Sequence, residues 1–198
     1  MSHSAYPSDP VRRQWLVATS VAGGAAIVAT SVPFVASMAP SERARALGGP
    51  VEVDIGSIGP GELRTVEWRG KPVWVLRRTG PMLESLHAQG DLLSDPHSAR
   101  LDQQPDYARN ELRSVKADIA VLVAICTHLG CIPSFRPEPG AADIGASWPG
   151  GFYCPCHGSK FDLAGRVFKS VPAPSNLEVP PHHYSAESTL LIGVGPGA

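Results

Sequence analysis

"CTHLGC" at 126–131 and "CPCHGS" at 154–159 hold all four cysteines of the 198-residue chain, and each carries a histidine. As patterns they are C-x-H-x-x-C and C-x-C-H. A cysteine and a histidine two or three residues apart can reach one metal centre from a tight loop. Six candidate ligand groups oversupply a single tetrahedral zinc, and neither segment has the C-x-x-C spacing usual in zinc ribbons. A zinc site of two cysteines and two histidines, using four of the six, stays open. Two structural disulfides would leave both histidines unexplained, and a catalytic Cys–His pair would explain one segment but not its echo.

The sequence around these segments reads as short strands. "DIAVLVAIC" is a continuous apolar run that delivers Cys126 at its end, and "VEVDIGSI" at 51–58 alternates apolar and polar. "GELRTVEWRG" and "KPVWVLRRT" flank a turn at Gly70-Lys71 and predict a hairpin. "GGFYCPCHGSKFDLAGRVF" predicts strand, loop, strand, a turn at Ala164-Gly165, and strand. "NLEVPPHHYSAESTLLIGV" closes the chain with two more. One helix is expected at "PMLESLHAQG", with Gly90 as its cap, and residues 91–118 read mostly as loop. The twenty glycines and twenty prolines fit many turns and few long helices. The fold class is mainly β: a small antiparallel β-sandwich or open barrel. A formal net charge of −1 gives no reason to expect nucleic acid.

The N-terminal region differs. Residues 1–10 are polar, and Trp15–Ala39 is a run of 25 positions without a charge. About 20 residues cross a bilayer as a helix. A soluble core helix would carry a polar stripe, and this run has none. "SMA" at 37–39 could pass as a cleavage site, but a signal peptide's apolar region is about 7–15 residues long. A permanent membrane anchor over 11–39 is the favoured reading, with Pro33 kinking or ending the helix. Arg12 and Arg13 resemble a twin-arginine export signal, which passes folded proteins with cofactor in place. Positive charge alone does not orient the helix, because Arg43 and Arg45 follow it; the export resemblance places the N-terminus in the cytoplasm. "PSERARALGGP" at 40–50 reads as a tether to a head at 51–198.

One reading uses every Cys and His group of the two segments: a two-iron, two-sulfide cluster on one Cys and one His from each, with the remaining cysteines paired. "CTHLGC" and "CPCHGS" resemble the two cluster loops of the Rieske iron–sulfur proteins, and the four-cysteine form is similar to the Rieske subunit of bacterial cytochrome bc complexes. The twin arginines, anchor, tether, "VEWRGKPV" hairpin and "VPAPSNLEVP" segment extend the resemblance over almost the whole chain.

That resemblance implies the following roles. Cys126 and Cys154 hold the inner iron, His128 and His157 hold the outer one, and Cys131 and Cys156 form a disulfide. The loops and the proline segment make a cluster-binding subdomain at about 120–176. Ser159 gives a hydroxyl hydrogen bond to a bridging sulfide. Leu129 belongs to an apolar tip that docks on cytochrome b, and Pro172–Pro174 cover a third side. His157 meets the quinol and is the catalytic residue. Two histidines in place of two thiolates raise the potential, to about −150 to +300 mV against about −400 mV for plant-type ferredoxins. The mitochondrial-type pattern has a Tyr donor where this chain has Phe161, which implies a lower potential here.

The implied function is the electron-transfer subunit of a ubiquinol–cytochrome c oxidoreductase. It works with cytochrome b and a c-type cytochrome in a dimeric complex, anchored in a bacterial inner membrane with its head in the periplasm. The small Rieske subunit of a periplasmic molybdenum oxidase, such as arsenite oxidase, and a non-redox zinc module are the alternatives. His3, His87, His97, His182 and His183 read as surface or loop residues, Arg77 and Arg78 as solvated, and Trp68, Trp74 and Trp148 as packing.

Overall fold

Val73–Leu76 and Ile119–Val123 are unbroken apolar stretches because both of their faces are covered. The computed structural model describes residues 9–42, 44 and 48–197. In it β2 (Leu63–Trp68), β3 (Lys71–Arg77) and β4 (Ile119–Val123) form an antiparallel sheet in that order. Successive side chains of a strand point to opposite faces. Val73, Val75, Val121 and Val123 therefore pack with Val53, Leu190 and Ile192 of a second sheet. That sheet is β1 (Val51–Asp54), β9 (Thr189–Ile192) and β8 (His182–Tyr184). Trp74, Leu76, Ala120 and Leu122 pack on the other side with Phe152 and Phe161. These belong to a third sheet of β5 (Ser134–Arg136), β6 (Gly151–Tyr153) and β7 (Lys160–Phe161). Trp74 stacks on Phe152 at 4.6 Å between centroids, which fixes the third sheet against the middle one. Truncating a fully buried Leu such as Leu122 to Ala would cost about 2–5 kcal/mol. The expected mainly β, antiparallel architecture is what forms, with the middle sheet sandwiched between two others.

Several local expectations shift. The β2–β3 turn is Arg69-Gly70, one residue earlier than expected, with φ of 53° and 71°. Trp68 pairs with Lys71 across it. Two positive φ angles match the twist of a two-residue hairpin, and Gly70 takes one at no steric cost. Helix α2 spans Gly80–His87 and is capped by Ala88, while Gly90 opens a 3-10 turn instead. After the 162–166 turn, Val167 and Phe168 make only isolated bridges rather than a strand.

Arg78 is buried, contrary to the solvated reading. Its guanidinium donates to the carbonyls of Leu112 and Ala117 and to the Ser114 hydroxyl. Arg113 is fully buried too and donates to Ala164 and Gln103 carbonyls and to Gln104 Oε1. Burial lowers both guanidinium groups to about 10, so they stay charged at neutral pH. Arg166 pairs with Asp162 at 2.7 Å, both buried, and closes the turn that follows β7. His182 is also buried, not a surface residue; its Nδ1–H donates to the Pro180 carbonyl at 2.8 Å, and burial lowers its pKa. These carbonyl partners lie far along the chain from the arginines, so no local window reveals them.

The N-terminal unit is helix α1, Pro10–Ser37, long and apolar enough to cross a membrane. Asp9 caps it, accepting from Val11 N at 2.9 Å, and Pro10 sits in the first turn where its missing N–H costs nothing. The helix does not end at Pro33. That proline lies near the last turn, so few ladder bonds are affected, and the helix continues to Ser37. Of the expected N-terminal tail, residues 1–8 lie outside the described residues, as do 43 and 45–47 of the expected tether.

Candidate metal centre

β4 ends at Val123, and two residues, Ala124 and Ile125, carry the chain on to Cys126. The second segment is the loop between β6 and β7. The two loops share one backbone frame. Each leading cysteine donates its N–H to the carbonyl five residues on: Cys126 to Cys131 at 2.7 Å, Cys154 to Ser159 at 2.8 Å. A glycine four residues on returns its N–H to the cysteine carbonyl, Gly130 at 3.0 Å and Gly158 at 2.9 Å. These glycines have φ of 83° and 75°, in the left-handed region that favours glycine. Sequence reasoning missed this pair, although C-x-x-x-G stands in both loops.

The frame brings the expected side chains together. Cys131 and Cys156 form a disulfide with Cα atoms 6.8 Å apart, joining loop to loop. Cys126 and Cys154 are buried free thiols. Burial pushes the Cys126 thiol up, and the neighbouring Cys154 adds to this; the His128 backbone N–H and the Ser159 hydroxyl pull the other way. His128 is half-buried and His157 exposed, with ring centroids 4.8 Å apart and planes perpendicular. Among the described residues neither ring makes a hydrogen bond. The Cys131, Cys154 and Cys156 sulfurs lie within 4.8 Å of one another. Two of the three are spent in the disulfide, so this trio is not a metal ligand set.

The proline segment is stitched to both loops. Ser159, fully buried, accepts the Ala173 N–H at 3.1 Å, and its hydroxyl donates toward the Cys126 sulfur. The Thr127 hydroxyl donates to the Ser175 carbonyl at 2.7 Å. Leu129 is 71% exposed and Ile132, which sequence reasoning did not single out, is 56% exposed. Phe161 is fully buried in the apolar core that also contains Cys126 and Cys154.

Two unpaired buried thiols and two unpartnered, more exposed imidazoles suit a two-iron cluster with both cysteines on one iron and both histidines on the other. The same donors could also suit zinc.

Similarity to known proteins separates these readings. Residues 52–181 match the Rieske [2Fe-2S] domain. The chain is 54% identical over 196 residues to the "Ubiquinol-cytochrome c reductase iron-sulfur subunit" of Allochromatium vinosum, covering 98% of this chain and 94% of that protein. It is 39% identical to the protein of the same name from Blastochloris viridis, covering 95% and 96%. Against that from Bradyrhizobium diazoefficiens it is 37% identical, covering 98% and 100%. With one disulfide made, two thiols and two imidazoles left over, and a family match spanning both loops, the chain belongs to the Rieske [2Fe-2S] family.

Proposed function

We propose that the chain is the iron–sulfur subunit of a bacterial ubiquinol–cytochrome c oxidoreductase. The observation that carries this is the paired loop frame, which bears two buried thiols and two more exposed imidazoles in contact with each other, in a chain 54% identical to such a subunit. When bound, the [2Fe-2S] cluster supplies one-electron chemistry. Cys126 and Cys154 hold its inner iron, and His128 and His157 the outer one. An imidazole bound through one nitrogen keeps the other free for a proton. His157, the more exposed of the two, takes the hydrogen bond and then the proton of the quinol hydroxyl. With the cluster bound, the Ser159 hydroxyl would donate a hydrogen bond to a sulfur of the cluster, which would favour the reduced state. Leu129, with Ile132, forms the tip that docks on cytochrome b.

Helix α1 anchors the protein in the inner membrane with the head, 51–198, in the periplasm, after export by the twin-arginine route. Within the head, about 120–176 is the cluster-binding part. Residues 40–50 tether the head, which moves between cytochrome b and a c-type cytochrome within a dimeric complex. Electron paramagnetic resonance of the reduced, membrane-purified protein tests the reading. A Rieske-type signal together with co-purifying cytochrome b is expected; a silent sample containing zinc would sink it.

A further inference from the structure

Cys154 is a free thiol, and its sulfur lies within 4.8 Å of both sulfurs of the Cys131–Cys156 disulfide. A thiol beside a disulfide is the starting arrangement for exchange. We propose that Cys154, once no longer held by iron, attacks Cys131 Sγ and displaces Cys156, so that loss of iron rewrites the disulfide and removes a ligand from the site. This rests on the reading of Cys154 as an iron ligand.

The step balances without any oxidant or reductant. Cys154 gives up its proton as it attacks, and the departing Cys156 sulfur takes one up, so the net proton count is unchanged. The Cys154–Cys131 S–S bond forms as the Cys131–Cys156 bond breaks. The electron pair leaves with Cys156 Sγ, which takes up a proton. Burial of Cys154 bars external reagents, but it does not bar a partner already beside it. Cys131 is the favoured target for two reasons. It comes from the facing loop, whereas bonding Cys154 to Cys156 would close a very small ring within one loop. Attack there also expels Cys156, whose exposure lets water solvate the departing sulfur.

The product keeps Cys126 as a buried thiol but has consumed Cys154. Iron cannot return to both thiols until Cys156 attacks back on Cys131 Sγ and frees Cys154. Iron on Cys154 would hold its sulfur out of exchange and so keep the Cys131–Cys156 pairing in place.

The test uses the full-length chain in detergent. One portion is stripped with a ferrous-iron chelator without reductant, and one is left loaded. Both are denatured and alkylated with N-ethylmaleimide at mildly acid pH, where exchange is suppressed, and digested. Cys154 and Cys156 share a peptide, so fragment ions locate the alkyl group. The loaded chain should show Cys131–Cys156 with Cys126 and Cys154 alkylated. The stripped chain should show Cys131–Cys154 as the majority product, with Cys126 and Cys156 alkylated. Cluster reloading with iron and sulfide should be accompanied by return of the Cys131–Cys156 bond. In the iron-free Cys154→Ser chain the original disulfide should persist; its rewriting there would overturn the proposal, as would any product bonded to Cys126 or a Cys154–Cys156 pair. A stripped chain that keeps Cys131–Cys156 overturns the exchange and leaves the ligand reading standing. Rewriting at equal rates with and without chelator overturns the control by iron, and with it the ligand role of Cys154.

Discussion

The 126–131 and 154–159 loops are built on the same hydrogen-bonded frame and differ in what each position carries. Counting from the leading cysteine, the second position is His128 in one loop and Cys156 in the other. The third is Leu129 against His157, and the fifth is Cys131 against Ser159. The third position is exposed in both loops, as Leu129 and His157, whereas the second is half-buried as His128 in one and exposed as Cys156 in the other. The backbone thus sets which side chain projects, and the sequence decides whether that side chain is apolar or an imidazole. One loop offers a greasy contact and the other a proton acceptor.

The strongest way to break this comparison is to remove each imidazole in turn. His157→Ala and His128→Ala should each abolish the paramagnetic signal of the reduced protein, because a histidine ligand has no substitute nearby. A surviving spectrum in either variant removes that residue from the ligand set and ends the equivalence of the loops.

Next is the outward position itself. Leu129→Asp should leave the spectrum of the head unchanged while lowering quinol-dependent turnover of the complex. Burying a leucine side chain is worth about 1.5–3 kcal/mol, or roughly ten- to a hundred-fold in docking. Undiminished turnover would mean that this exposed leucine touches nothing.

Much of the site was legible before the fold was known, because ligand chemistry depends on residue type and short spacing. The surplus of Cys and His over what one zinc needs was enough to raise the question, and the division into ligands and disulfide followed from the family resemblance. The strand run into Cys126 was legible too, since a strand buried on both faces has no polar alternation to hide it. Three things were not. The glycine pair was missed because it supplies backbone conformation, not chemistry. Arg78 and Arg113 were misread or passed over because their partners are distant carbonyls. His182 looked like a loop residue because its burial depends on Tyr107 and Tyr184 closing around it at 5.7 Å and 6.3 Å between ring centroids.

Smaller effects should appear on the second loop's inner side. Ser159→Ala removes a hydroxyl that accepts from Ala173 N–H and donates toward Cys126, and that is proposed to donate to the cluster. The midpoint potential should fall, and the buried N–H left without its partner should cost about 1–3 kcal/mol. Phe161→Tyr should move the potential the other way, as an added donor favours the reduced state. If redox titration shows no shift for Phe161→Tyr, the ring's edge does not face the cluster, and Ser159 alone distinguishes this loop's tuning.

The smallest effect bears most directly on whether the two frames are equivalent. A Cβ at Gly130 would meet nothing within 4 Å, and one at Gly158 would have only Tyr153 Oη at 3.8 Å, an ordinary contact. Crowding therefore contributes little at either position. What remains is the left-handed backbone, costing a non-glycine residue about 1–2 kcal/mol. Gly130→Ala and Gly158→Ala should each lower Tm by about the same few degrees, at roughly 2–4 °C per kcal/mol for a chain of this size. Thermal unfolding of the loaded protein with its disulfide intact measures both. If one variant loses much more than the other, the shared hydrogen bonds hide unequal strain, and the loops are alike in pattern only.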